Sequence, residues 1–232
     1  MSEAVSQASM SFLQRLINIF AAPSKAFQAL VQRPVWVAPV VLIAVYAAVL
    51  NFAVMETKSG EAALRLEIQD SPRAANMPPE AMETALGFGK AMAVVGSLVG
   101  VPLITFAGAG IVYLLFSIVL GGEATYKQTL SIWSHAGLIG LLGGLVQTTM
   151  ILVKGSFKSS TSLAAFLPFL EESSFVYKVF QGLDLFLLWQ LAVLSIGMGI
   201  MNRVGTRKAA IAIFSTFLII IVIIAGIRQA MA

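Results

Sequence analysis

His135 is the only histidine in the chain and the only ionisable side chain well inside a charge-free stretch. It closes the run Ser131-Ile132-Trp133-Ser134-His135. Ionisable groups are costly inside a bilayer, so an imidazole there could relay a proton or hold a ligand. It follows Gln128 by only seven residues, and Trp133 beside it reads as an interfacial marker, so an interfacial hydrogen bond near the end of its stretch is the first expectation. Glu171-Glu172 is a paired acid of the kind that could activate a water. No arginine follows in the next turn and no paired histidines lie downstream, so it reads as a solvated loop charge or a helix start. The chain has no cysteine, which removes disulfides, thiolate nucleophiles and cysteine metal sites together. It has no His-Glu-x-x-His helix for zinc and no Gly-x-Ser-x-Gly elbow. No acid lies in the middle of an apolar stretch, which counts against a proton- or sodium-coupled pump. An enzyme would need a constellation assembled in space, such as His135 meeting Glu123 or Asp184. The expectation is therefore a non-enzyme with no catalytic, cofactor or metal residues.

The elements that must carry these residues belong in a membrane. The 232 residues are 58% hydrophobic and only 11% charged, with a mean hydropathy of +0.89. A soluble domain usually carries about twice that charge. Five charge-free stretches, 34–55, 91–122, 128–153, 185–202 and 209–227, hold 117 residues between them. A helix needs roughly 20 residues to cross the hydrocarbon core, so five spans fit, at about 35–55, 91–120, 129–153, 185–202 and 209–227. The runs are continuously apolar, which excludes the short alternating strands of a barrel. The expected fold is an all-α integral membrane protein: a five-helix bundle (34–228) behind an N-terminal amphipathic segment (1–33).

That N-terminal segment places Phe12, Leu13, Leu16, Ile17 and Phe20 at helical spacing, with Gln14, Arg15 and Asn18 between them. Pro23 breaks the pattern, and Ser24 offers a cap for a second turn carrying Phe27, Leu30 and Val31. The profile predicts an interfacial helix; a short helix packed beside the bundle has the same pattern. Trp36 marks the entrance of the first span, and Asn51 its far boundary. The loop 56–90 is hydrophilic, punctuated by Pro72, Pro78 and Pro79, and a helix is expected to start at Pro79 and run into the second span. At the standard rise, 91–122 would measure about 48 Å, so it either protrudes or breaks, and Pro102 is the candidate hinge. A cavity beside it, lined by His135, would suit a transporter. In the second long loop, 154–184, the serine-rich patch at 156–162 and the apolar dozen 159–170 read as an interfacial or re-entrant piece.

Gly96 and Gly100, and Gly140 and Gly144, are spaced four apart, which lets helix backbones approach closely. Packing within the bundle is the first expectation and dimerisation the second. Orientation follows from charge. The N-terminal 33 residues and the turns 123–127 and 203–208 carry seven Lys/Arg and two acids; the long loops and C-terminal tail carry eight and nine. The positive-inside rule puts the N-terminus in the cytoplasm and the C-terminus outside. Arg15, Lys25, Arg33, Arg203, Arg207 and Lys208 would then contact anionic headgroups, at about 1 kcal/mol each. With no basic run longer than two residues, no nucleic-acid partner is expected; the partners are membrane lipids and either a membrane protein or a second copy.

Three stretches, taken in order, carry a family resemblance. Phe20-Ala21-Ala22-Pro23-Ser24-Lys25-Ala26-Phe27 leads to Arg33-Pro34-Val35-Trp36 and a span. Gly121-Gly122-Glu123-Ala124-Thr125-Tyr126-Lys127-Gln128-Thr129 leads into the histidine-bearing span, and Gly205-Thr206-Arg207-Lys208-Ala209 opens the last one. Over roughly residues 12–228 the chain resembles bacterial members of the Yip1 domain family. The resemblance implies a five-span helical protein of the bacterial inner membrane with a cytoplasmic N-terminus. It supplies no catalytic residues. Eukaryotic members are tied to Rab GTPases, often through a long cytoplasmic N-terminal domain that this sequence lacks. The leading reading is a scaffold or adaptor; the alternative is a channel or transporter for a small solute or lipid through a second span broken near Pro102.

Overall fold

The computed structural model describes residues 10–71, 77–157 and 161–231. Pro72, Ser159 and Ser160 lie outside them. The helices in chain order are α1 (Phe12–Ala21), α2 (Pro23–Gln32), α3 (Val37–Met55), α4 (Lys58–Gln69), α5 (Pro79–Leu114), α6 (Tyr126–Ala136), α7 (Gly140–Lys154), α8 (Phe175–Gly182), α9 (Leu185–Met201) and α10 (Thr206–Ala230). The described residues are all-helical, with no strand beyond one isolated bridge between Ser162 and Asp184.

Among the described residues four helical segments are long and apolar enough to cross a membrane: Val37–Met55, Pro79–Val119, Tyr126–Lys154 and Thr206–Ala230. The fifth expected span, α9, has 17 residues, about 26 Å at the standard rise and short of a roughly 30 Å hydrocarbon core. It nevertheless contributes heavily to the interior, with Leu191, Val193, Leu194, Ser195, Gly197, Met198 and Gly199 all buried.

Of the two alternatives left open for 91–122, the break at Pro102 is not the one seen. α5 runs unbroken from Pro79 to Leu114 with Pro102 inside it. A proline removes one backbone donor, and a helix held by neighbours tolerates that loss. The irregular backbone lies elsewhere: a π turn, Leu115–Val119, ends the α5 segment, and a 3₁₀ turn, Gly137–Ile139, joins α6 to α7. α5 does begin at Pro79, with Glu80 in its first turn, as its proline and acids foretold.

Pro23 separates α1 from α2 and sits in the first turn of α2. Ser24 is inside that helix and makes no cap; the caps are Ser11 for α1 and Thr125 for α6, each in a reciprocal box with the glutamine three residues on. Ile19, Ala26, Phe27 and Leu30 are fully buried, so α1 and α2 are docked into the bundle. Leu13 and Ile17, one turn apart, remain exposed on α1. The helix pair thus buries one face and leaves a narrow apolar stripe for lipid.

The two long loops settle on different helices. α4 rests on the ends of α3 and α7 through Val54, Met55, Ala63 and Ile151, and is tied to α5 by Lys90–Glu61 at 2.7 Å and Arg65–Glu83 at 3.0 Å. α8 reaches α10 through Lys178 to Gln229, 2.8 Å. In the second loop the described part of the apolar dozen, 161–170, contains a 3₁₀ turn, Leu163–Phe166, and leaves Phe166 and Phe169 exposed.

Close approach is concentrated at particular glycines. A Cβ at Gly108 would lie 2.2 Å from the Trp133 ring, and one at Gly197 would lie 2.4 Å from Ile132 and 3.0 Å from Phe27. Gly96, Gly100 and Gly140 meet nothing within 4 Å, and Gly144 only touches Tyr46 and Leu50 at 3.4 Å. Gly108→Ala and Gly197→Ala should therefore each lower unfolding stability by about 1–3 kcal/mol, as overpacking does. Gly96→Ala and Gly100→Ala should leave it level or higher, since alanine favours helix. Thermal unfolding in detergent reads both.

Acidification provides a second check. Hydrogen bonding to Lys90 and its positive charge hold Glu61 below the ordinary glutamate range. A depressed carboxylate contributes stability above its unfolded value and loses it as pH falls through the folded one. The protection of α4 amides, taken relative to their intrinsic exchange rate at each pH, should fall on acidification in that range. Added salt should shrink the effect, because the pairs are solvent-facing.

Candidate functional site

The chemistry singled out in the sequence converges on the second half of α6. Residues 131–136 are buried on every side. Trp133 is part of this interior: its ring stacks on Phe217 of α10 with centroids 5.8 Å apart and fills the space left by Gly108. It is therefore core rather than an interfacial marker. Ser131 bridges to the entry of α3. Its hydroxyl donates to the Val35 carbonyl at 2.7 Å and accepts from the Val35 amide at 3.1 Å. These backbone groups precede α3 and have no helical partner, so a side chain from another helix completes them.

His135 is fully buried. Its Nδ1 lies 2.8 Å from the Ser131 carbonyl oxygen, which can only accept, so Nδ1 carries the proton. Nε2 then presents a lone pair, and it has no hydrogen-bond partner. The Phe12 ring of α1 approaches the imidazole edge-on, with centroids 6.4 Å apart. Arg15, one turn further along α1, is near enough for its charge to act on His135. Its Nη1 donates to the Met10 carbonyl at 2.7 Å, while its buried Nε has no partner. Burial, and then the neighbouring Arg33, push the Arg15 guanidinium down from its usual value.

The enzyme geometry considered above does not form. Asp184 caps α9, accepting from the Phe186 and Leu187 amides at 2.8 and 3.1 Å, and it also accepts from the Thr161 hydroxyl. Glu123 lines a cavity of about 510 Å³ with Val31, Gly122, Gln128, Asn202 and Arg203, in which His135 takes no part. Glu171 and Glu172 are exposed. Among the described residues no three His, Asp or Glu side chains gather as a metal would require.

Lys25, Arg33, Arg203, Arg207 and Lys208 are all exposed, and Arg15 is half-buried. The 510 Å³ cavity brings the end of α2 together with the turns 121–128 and 200–203, so the basic segments counted together in the sequence share one end of the bundle. Pro102 and His135 do not line a common cavity among those found.

Several polar contacts between helices were not foreseen in the sequence, including one made by Asn51, which was read there only as a boundary of the first span. Asn51 donates to Ser97 across α3 and α5 at 2.8 Å. Tyr46 donates to the Leu141 carbonyl at 2.9 Å, and Tyr126 to the Phe106 carbonyl at 2.9 Å. Gln147 and Gln190 face a cavity of about 320 Å³ with Gly140, Gly144, Thr161 and Asp184. Lone amides and hydroxyls in apolar runs are the signal that could have found them, because lipid supplies no alternative partner.

Ser131→Ala should orphan the Val35 amide and carbonyl and destabilise the bundle by about 1–3 kcal/mol. Ser131→Thr should retain more of that stability. Comparing the two by thermal unfolding checks the bridge.

The Yip1 domain family model matches residues 17–227. No curated protein matches the chain, and no solved structure does. Since the matched region takes in every helix from α2 to α9, half of α1 and most of α10, the chain belongs to the Yip1 domain family of membrane proteins.

Proposed function

We propose that this chain is a non-enzymatic integral membrane scaffold or adaptor of the Yip1 type, placed in a bacterial inner membrane with its N-terminus cytoplasmic and its C-terminus outside. The observation that carries the reading is how the polar side chains are used. Ser131, Asp184, Asn51, Tyr46 and the Glu61–Lys90–Arg65–Glu83 group are all engaged in capping or joining helices. The α6 interior is filled by the close fit of Trp133 at Gly108 and of Ile132 and Phe27 at Gly197. A protein built this way offers its surface rather than a reactive centre. A transport route through a broken α5 finds no support, since the helix continues past Pro102.

The working surface would be lateral and basal. Gly96, Gly100 and Gly140 present open backbone with nothing of their own chain against it, which leaves them for a membrane-protein partner or a second copy. Lys25, Arg33, Arg203, Arg207 and Lys208 would hold anionic headgroups beneath it. The spans would be α3, α5, α6–α7, α9 and α10, with α9 reaching across through its flanking residues or a local thinning of the bilayer.

Two measurements test this. The protein extracted into lipid discs should carry a stoichiometric protein partner or a second copy, and Gly100→Leu should displace it without unfolding the chain. A lone particle that conducts solute in liposomes would overturn the scaffold reading. The chain has no native cysteine, so single cysteines report orientation cleanly. A cysteine at Lys208 should be shielded from an impermeant thiol reagent in intact cells and one at Glu172 labelled; the reverse pattern would overturn the orientation.

A further inference from the structure

Where α1 lies on α6, the chain leaves two buried polar atoms incomplete. His135 Nε2 has a free lone pair, because the ring proton is on Nδ1 and engaged by Ser131. Arg15 Nε has a free N–H. One is an acceptor and the other a donor. They come from facing elements, Phe12 and Arg15 being one turn apart on α1 and Phe12 lying against the imidazole. A buried polar group without a partner is costly, and two of complementary kind at one junction call for a third group between them.

Charge narrows what that group is. Arg33 neighbours Arg15, so two guanidiniums share this region. The ion pairs among the described residues involve only Glu61, Arg65, Glu83 and Lys90, on α4 and α5. Nothing described neutralises the arginine pair, so an anion is favoured there. A hydroxyl satisfies the other requirement: it accepts from Arg15 Nε–H and donates to His135 Nε2. An ammonium could donate to His135, but it cannot accept from Arg15 and two neighbouring guanidiniums would repel it. Arg15 is partly exposed, so part of its guanidinium can be reached from outside the bundle.

We propose that Arg15, Arg33 and His135 form a receptor for one glycerophospholipid headgroup that carries a phosphodiester and a free hydroxyl, the phosphate lying on the two arginines and the hydroxyl between Arg15 Nε and His135 Nε2. The site deepens the membrane-surface part of the scaffold reading. Its test needs no protein partner, so it can fail while scaffolding stands, and scaffolding can fail while it stands.

The probes are phosphatidylglycerol and phosphatidylmethanol, which share the diester charge and differ in the headgroup hydroxyls. Native mass spectrometry of the full chain in mixed micelles reads how many lipids are kept and how tightly. The expected result is one retained phosphatidylglycerol, bound roughly tenfold tighter than phosphatidylmethanol. Arg15→Gln should weaken both lipids roughly tenfold or more. His135→Asn, which lacks an acceptor at the Nε2 position, should remove the preference between them. His135→Gln, which can place an oxygen there, should restore part of it, and this separates recognition from a fold defect. Soluble glycerophosphoglycerol at millimolar concentration should not displace the lipid; displacement would assign the site to a free phosphodiester and overturn the lipid source. Equal affinity for the two lipids in the unsubstituted protein would overturn the proposal, as would a preference that survives His135→Asn.

Discussion

Helices in lipid associate without a hydrophobic drive, so their contacts must come from shape and from polar groups with no other partner. In this protein that constraint is met where α9 touches α2 and α6. Gly197 has no side chain, and Phe27 and Ile132 occupy the space it leaves. Gly199 lies against the backbone at Gly205 and Thr206, which lets α10 turn back directly beside α9. A short helix, buried over much of its surface, thereby becomes the element that the N-terminal segment, the histidine-bearing helix and the last helix share. The N-terminal segment is consequently part of the core rather than an appendage floating beside it.

The polar contacts then fix register. Ser131 sets the depth at which α3 starts relative to α6, and Asn51 with Ser97 sets α3 against α5. Each bond closes a group that lipid would leave unpaired, so each specifies one sliding position out of many. The junction of α1 with α6 is the exception, since two complementary atoms there stay open. Among the described residues one further buried atom, Asn202 Oδ1 after α9, is also without a partner, but only the α1–α6 junction pairs an open donor with an open acceptor.

Much of the architecture was legible in the sequence because apolar run length and charge placement are one-dimensional properties. The start of α5 at Pro79, the separation of α1 from α2 at Pro23 and the tight turn before Thr206 all follow from local rules. What was not legible depends on neighbours. Pro102 looks like a break only if its helix is considered alone. The four-apart pairs Gly96/Gly100 and Gly140/Gly144 look like packing motifs, yet glycines outside those pairs, Gly108 and Gly197 among them, are where side chains fill the gap most tightly. Trp133 looks interfacial because tryptophan often is, and is instead held between α5 and α10. His135 stood out by type, but its open Nε2 and the influence of Arg15 on it exist only once α1 is folded back onto α6.

The central claim is that the N-terminal helices belong to the membrane core. Hydrogen–deuterium exchange of the protein in lipid discs tests it most directly, resolved helix by helix. Burial of Phe27 and Leu30 against α6 and α9 predicts that α2 amides are protected to the same degree as those of α9 and open together with them. Fast exchange throughout α2 while α9 stays protected would contradict the account, because the segment would then be an independent helix on the membrane surface.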